Sequence, residues 1–234
     1  MIPKLVRPEY STTVPSTGKK IKYHPFTVRE EKVLMLAAEG EDQDEITNAV
    51  INCLTNCISS PSDIDIKNLA LFDIEYLFLK TRAKSIGEVI TVSVIDPDDE
   101  SFQTEVEINI DKIGIKKSED HLPLIKINDD VSITMSYPGI EFFSTGINYS
   151  SVSSTIEIAS KCIDQIIVGD EVYNKEDMTD EELREWIESL SQHQFNLITK
   201  FFVTLPKLSH TITAKNTKTK KNFSVTLEGL ADFF

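Results

Sequence analysis

The sequence predicts an α+β fold made of two helical units, each followed by a β-hairpin. Two observations predict this class: an apolar helix leads within a few residues into two strands with alternating apolar side chains, and the arrangement occurs twice. The segments are Leu69–Gly87, Ile90–Val94 and Thr104–Ile110 in the first copy, and Leu183–Leu205, Leu208–Ala214 and Asn222–Leu227 in the second. Small hairpins docked on helices are typical of interaction modules.

Composition narrows the functional class. The chain has 234 residues and a net charge of −14. This charge disfavours nucleic acid as the main ligand and suits a basic protein partner. No apolar run approaches the ~18–20 residues that span a bilayer, and Met1–Pro8 lacks the apolar region of a secretory signal. We therefore expect a cytosolic protein that does not bind a membrane.

Four segments are predicted along the chain. Residues 1–22 form a basic flexible arm with a net charge of +4, in which Glu9 is the one acidic residue. A first helix–hairpin unit covers 23–115, an extended connector 116–154, and a second unit with a docked C-terminus 155–234. The arm is either a docking arm or a solvated tail that lies over the acidic body.

The first unit is predicted from its helix signals. Thr27 and Glu30 have the spacing of a capping box, in which each side chain bonds the backbone of the other residue. An apolar stripe follows at helical spacing, formed by Val33, Leu34, Leu36 and Ala37. A second helix is predicted over Ile46–Ile58, and the central helix over Leu69–Gly87.

The second unit is predicted in the same way. Val131–Tyr137 alternates as a strand in the connector, and Ile156–Val168 is predicted as an apolar helix. A hairpin-like insert follows around Asp170–Asn174. Thr179 and Glu182 then form a second capping box and open a helix.

Acidic residues are concentrated in the second unit. From Asp170 to Glu188 there are nine acidic residues and two basic ones, Lys175 and Arg184. This stretch is either a solvated acidic face or a surface for a basic partner. Trp186, within it, is expected to be a core anchor.

The three cysteines have two interpretations. Cys53 and Cys57 lie four residues apart on a predicted helix and so share one face; in the first interpretation they form a metal site together with Cys162 and a histidine. Zinc knuckles usually lie on turns, and free cysteine is commonly buried. We therefore favour three small buried side chains and predict no metal.

No catalytic signature is present in the sequence. Nucleotide-binding, metalloprotease and nucleophile-elbow motifs are all missing. The histidines lie on unrelated segments, at His24, His121, His193 and His210. We predict no catalytic residue, no cofactor and no small-molecule substrate, and hence no enzyme.

Three motifs resemble the baseplate hub assembly family of T4-like contractile-tailed phages: KYHPFTVREEK at 22–32, FDIEYLFLKTRAKSIGE at 72–88 and LEGLADFF at 227–234. The resemblance implies a chaperone-like assembly factor that binds other baseplate hub and tail proteins in the host cytoplasm. The alternative is a minor structural hub subunit retained in the virion baseplate. Self-association is a further expectation.

The resemblance also directs attention to the hairpin tips. Some relatives carry a C-x₂-C knuckle there, but the tips here, Asp96–Ser101 and Asn216–Lys221, contain no cysteine, so the hairpins are predicted to be metal-free. The first tip is acidic and the second basic, so they would pair if they lie close together. The residues predicted to contact partners are Lys19, Lys20, Lys22, Lys218, Lys220, Lys221, Leu230, Phe233 and Phe234.

Overall fold

The computed structural model describes residues 5–61, 64–142 and 151–233. Over these residues the chain is an α+β protein with six α-helices and several antiparallel sheets, as predicted. Within the same residues, no helix is long and apolar enough to cross a bilayer.

The chain forms two compact units that differ from the predicted ones. Unit 1 contains Met1–Lys116 together with Lys207–Phe234, and unit 2 contains Lys117–Pro206. The hairpin predicted to complete a second unit over 155–234 therefore belongs to unit 1. Two separate helix–hairpin units are not confirmed.

Most of the predicted basic arm is a β-hairpin in unit 1. Strand β1 (Tyr10–Thr13) pairs antiparallel with β2 (Lys20–Tyr23), and β2 pairs on its other side with β3 (Ile58–Ser60). The side chains of β2 alternate between exposed and buried, with Ile21 fully enclosed. The prediction of a flexible arm is corrected for these residues, because this short alternation is that of a half-buried strand.

Three helices of unit 1 follow the first hairpin. They are α1 (Val28–Gly40), α2 (Gln43–Cys57) and α3 (Leu71–Ser85). The predicted capping box of α1 is confirmed, because the Thr27 N–H donates to Glu30 Oε2 at 2.8 Å and both partners are satisfied. The predicted central position of α3 in the first unit agrees with the structure, because buried side chains extend around much of this helix.

The first predicted hairpin is confirmed and is longer than expected. Strands β4 (Val89–Asp96) and β5 (Asp99–Asn109) pair antiparallel and form a two-stranded sheet. A short strand, β6 (Gly114–Lys116), ends the first part of unit 1.

Unit 2 is a four-stranded antiparallel sheet covered by helices. Its elements are β7 (Leu124–Lys126), β8 (Val131–Met135), α4 (Val152–Cys162), β9 (Ile163–Val168), β10 (Glu171–Asn174), α5 (Asp180–Glu188) and α6 (Gln192–Val203). The strand order is β10-β9-β8-β7. One apolar core joins this sheet to the three helices.

One helix prediction in unit 2 is wrong in its second half. The predicted helix Ile156–Val168 ends at Cys162, and the remainder is strand β9, which pairs with both β8 and β10. Its β-branched residues favour a strand, since they fit the pleated surface of a sheet. The predicted insert and the capping box at Thr179 are confirmed.

The chain then returns to unit 1. Strand β11 (Lys207–Lys215) pairs with β12 (Asn222–Glu228) on one side and with β6 on the other. Lys116 and Lys207 are direct partners across that ladder, so unit 2 leaves and rejoins unit 1 at the same position in the sheet.

Candidate interaction surfaces

The tips of two hairpins in unit 1 meet at a buried asparagine. Asn216 is 0% exposed, and its amide nitrogen donates to Asp96 Oδ2 at 2.7 Å and to Asp99 Oδ2 at 3.2 Å. Its Oδ1 accepts from the backbone N–H of Lys218 at 2.8 Å and of Thr219 at 3.1 Å. We name Asn216, Asp96 and Asp99 the tip clasp. The acidic tip and the basic tip therefore lie close together, which was the condition for the pairing that the sequence suggested.

Further contacts close the tip clasp. The rings of Phe102 and Phe223 pack edge to face with centroids 6.2 Å apart. Lys218 Nζ lies 3.4 Å from the carbonyl oxygen of Ser101. Hydrogen bonds from Ser101 and Asn216 lower the pKa of Asp99. The acidic tip is thus held by its own chain.

The six lysines predicted to contact partners are all exposed. Lys19, Lys20 and Lys22 lie in or beside the first hairpin, and Lys22 Nζ pairs with Glu9 Oε2 at 2.9 Å. The other three, Lys218, Lys220 and Lys221, lie in the turn between β11 and β12. Their contact with a partner stays a prediction.

The described chain end packs into unit 1. Leu230 and Phe233 are buried, whereas Phe234 lies outside the described residues. The Leu230 N–H donates to Glu75 Oε1 at 3.0 Å, and burial raises the pKa of Glu75 to about 7. Partner contact by Leu230 and Phe233 stays a prediction, and their burial does not favour it.

A groove of ≈ 470 Å³ lies between the β9–β10 hairpin and α5 in unit 2. Its floor is apolar and continuous with the core, through Ile166 and Leu183. Trp186 lines it as well and packs partly buried against the same core, so its predicted role as an anchor is confirmed. Asp177 and Glu182 add exposed carboxylates at the rim. We name this the acidic groove.

Hydrogen bonds keep the rim of the acidic groove ordered and charged. Glu182 Oε2 accepts from the Thr179 N–H at 2.8 Å, and this contact lowers the pKa of Glu182. Tyr173, which lines the groove, donates its hydroxyl to Glu171 Oε2 at 2.6 Å. The rim therefore presents negative charge at neutral pH.

The basic residues of the acidic stretch are engaged locally. Lys175 Nζ donates to the carbonyl oxygen of Lys161, and Arg184 Nη1 pairs with Glu181 Oε2 at 2.9 Å. Asp170–Glu188 has a net charge of −7, half of the −14 of the whole chain. A cationic ligand therefore meets a strong negative field here.

The first helix leaves much of its predicted apolar stripe exposed to solvent. Of that stripe Ala37 is buried, whereas Leu36 is 56% exposed. Val28 is 79% exposed and Met35 58%. Residues seven and eight positions apart share a helix face, so Val28, Met35 and Leu36 form one surface, which we name the α1 face.

The cysteines are buried in the two cores. Cys53 and Cys57 lie in α2 and Cys162 ends α4, and all three are free and buried, which confirms the predicted burial. Within the described stretches, no group of three or more His, Cys, Asp or Glu residues is placed to hold a metal ion.

Comparison with known protein families establishes the family of the chain. A family model described as T4 bacteriophage base plate protein matches residues 7–234. The chain belongs to this family. The resemblance to a T4-like phage baseplate protein is thereby confirmed. A search of curated proteins and a search of solved structures each found no match.

Sequence reasoning located the acidic stretch of this baseplate protein but missed the groove. Ile166 and Tyr173 face α5 because they lie on paired strands, and the sequence prediction had placed the first of them on a helix. The run of β-branched residues in β9 was the available signal. Asn216 was also missed, although asparagine at the start of a turn often bonds the backbone two residues later.

Proposed function

We propose that this baseplate protein is a non-enzymatic assembly factor, which binds other hub proteins while the baseplate hub is built in the host cytoplasm. The observation that carries the proposal is the α1 face. Val28, Met35 and Leu36 present apolar side chains to solvent on a helix that buries little of its own surface. Contiguous apolar patches on soluble proteins commonly mark protein interfaces.

The sequence supports the non-enzymatic part of the proposal. It contains no motif that places a nucleophile beside a base, and none that cradles a phosphate. An assembly factor requires surfaces rather than reacting groups. The family supports partners among baseplate proteins.

The test is complex formation with the purified hub proteins of the same phage, measured by size-exclusion chromatography and by titration. The double variant Met35→Ser/Leu36→Ser should weaken the complex about tenfold or more, because apolar anchors carry most of the binding energy of an interface. Arg29→Ser/Lys32→Ser, two polar positions on the same helix, is the matched control. If both variants lose binding equally, or if the unmodified chain does not bind, the α1 face is not the surface that binds hub proteins.

Mass spectrometry of purified virions separates a transient factor from a retained subunit. The proposal expects the protein to be absent from finished particles and present in assembly intermediates. A constant copy number in virions would instead support a minor structural subunit of the hub.

A further inference from the structure

We propose that the acidic groove of unit 2 binds the segment around Leu5 and Val6 of a second copy of this chain. This goes beyond the proposed function, because it concerns self-association through a surface that binding of hub proteins by the α1 face does not use. The inference rests on the chemistry of the groove and on a matching segment elsewhere in the sequence.

The segment combines apolar anchors with positive charge. Leu5 is 91% exposed and Val6 97% exposed, and Lys4 and Arg7 flank them in the sequence. Pro8 follows directly. A proline restricts both itself and the residue before it to extended conformations, which reduces the entropy lost when such a segment binds.

The acidic groove is complementary to this segment in both respects. Its apolar floor, at Ile166 and Leu183, can accept aliphatic side chains, and its volume of ≈ 470 Å³ lies within the range of ordinary ligand sites, roughly 300–1,000 Å³. Asp177 and Glu182 at the rim offer carboxylates to the flanking Lys4 and Arg7.

Other basic segments of the chain fit the groove less well. Lys218–Lys221 is basic but contains no apolar side chain, so it matches the rim and not the floor. Lys19–Lys22 contains Ile21, but that side chain is buried beneath its own hairpin. The segment at Leu5 and Val6 offers charge and exposed apolar surface together.

A second copy is the occupant that these features favour. Each chain carries the groove in unit 2 and the segment in unit 1, so a contact between copies is heterologous: the segment of one copy meets the groove of the next. Opposite charges steer the approach of the two surfaces, and this contribution weakens as salt screens it. Self-association through the groove should therefore be salt-sensitive.

Trp186 provides a direct readout of groove occupancy, since it is the sole tryptophan of the chain and lines the groove. The probe is a synthetic peptide of residues 1–9, added to the full chain carrying Leu5→Asp/Val6→Asp. We expect saturable binding with a blue shift of the tryptophan emission. A peptide with Leu5→Ser/Val6→Ser should bind about tenfold more weakly, because the apolar anchors are gone. An unchanged emission would overturn the proposal.

Two matched pairs of variants locate the site. Tyr173 lines the groove and is 46% exposed, whereas Val172 is 51% exposed and points to the opposite face of β10. Tyr173→Ser should weaken peptide binding severalfold and Val172→Ser should not. Likewise Asp177→Lys should weaken binding, while Glu176→Lys, next to it but not lining the groove, should have less effect. Equal losses within either pair would overturn the assignment.

Sedimentation velocity tests the second-copy occupant. The full chain should associate as its concentration rises, less so in about 0.5 M salt, where the Debye length is only a few Å. The Leu5→Asp/Val6→Asp variant should remain monomeric. If the full chain is monomeric at every concentration, the proposal is overturned, even if the tryptophan emission shows that the segment occupies the groove of its own chain. Neither failure would affect the α1 face, which is tested separately with hub proteins.

Discussion

The tip clasp of unit 1 and the acidic groove of unit 2 use carboxylates in opposite ways. In the tip clasp, Asp96 and Asp99 are held by the buried amide of Asn216. In the acidic groove, Asp177 and Glu182 border an apolar floor and face solvent. Both regions are acidic in the sequence, so charge density alone does not reveal which acids are available to a partner. The difference lies in burial: the tip clasp encloses Asp96 together with its donor, whereas Glu182 stays exposed although the Thr179 N–H donates to it.

The largest expected effect breaks the tip clasp. Asn216→Ala should lower the free energy of unfolding by about 3 kcal/mol, because the buried Asp96 loses its amide donor and two backbone N–H groups lose their acceptor. Urea denaturation measures it. Asn222→Ala, at an exposed position on β12, is the control and should change little. Equal stability of the two variants would show that the tip clasp contributes no more than an exposed position.

The next prediction concerns Glu75, another carboxyl group that unit 1 uses internally. Burial raises the pKa of Glu75 to about 7 in the folded protein. Below the ordinary pKa of a glutamate the group is protonated in both states and the folded state is not penalised. As the pH rises through about 7, this part of the free energy of unfolding is lost. The unmodified chain should therefore lose about 2 kcal/mol relative to Glu75→Gln between about pH 5 and pH 8. Glutamine keeps an oxygen that can accept from the Leu230 N–H.

The measurement is urea denaturation of both chains across that pH range. Comparing the difference between them cancels the titration of every other group that the two chains share. A difference that stays constant from acid to alkaline pH would mean that Glu75 titrates normally in the folded protein.

The smallest expected effect concerns the carboxylates of the acidic groove. Asp177→Asn at the groove rim should change the free energy of unfolding by less than about 0.5 kcal/mol, since exposed surface substitutions rarely do more. Glu176→Gln, the preceding exposed residue, should behave alike. Thermal or urea unfolding checks both. A loss above about 1 kcal/mol for Asp177→Asn would place this carboxylate among those that the fold uses internally.

Local signals were readable from the sequence, and distant pairings were not. The capping boxes at Thr27 and Thr179 were predicted because both partners lie within three residues. The strands of both main hairpins were predicted from their alternation. Asn216, in contrast, meets Asp96 across 120 positions of sequence, a pairing that no local pattern encodes. The placement of β11 beside β6 depends on the fold in the same way.

The candidate site was predictable in composition but not in shape. The acidic stretch and Trp186 were recognised from residue types alone. The groove requires β9 to be a strand, and a short segment with mostly apolar residues, such as Ile163–Val168, is compatible with helix or strand until its partners are known. The exposure of the α1 face was likewise unpredicted, because periodicity identifies an apolar face without saying what covers it.

The shared attachment of unit 2 at Lys116 and Lys207 sets an order of events during synthesis. Unit 2 occupies Lys117–Pro206 and leaves the ribosome before β11 and β12. At roughly 5–20 residues per second, its translation leaves β6 without a neighbouring strand, and Asp96 without its amide donor, for several seconds. The nascent chain thus carries a fully synthesised unit 2 on an unfinished unit 1, whose sheet is completed only after β11 and β12 have been synthesised.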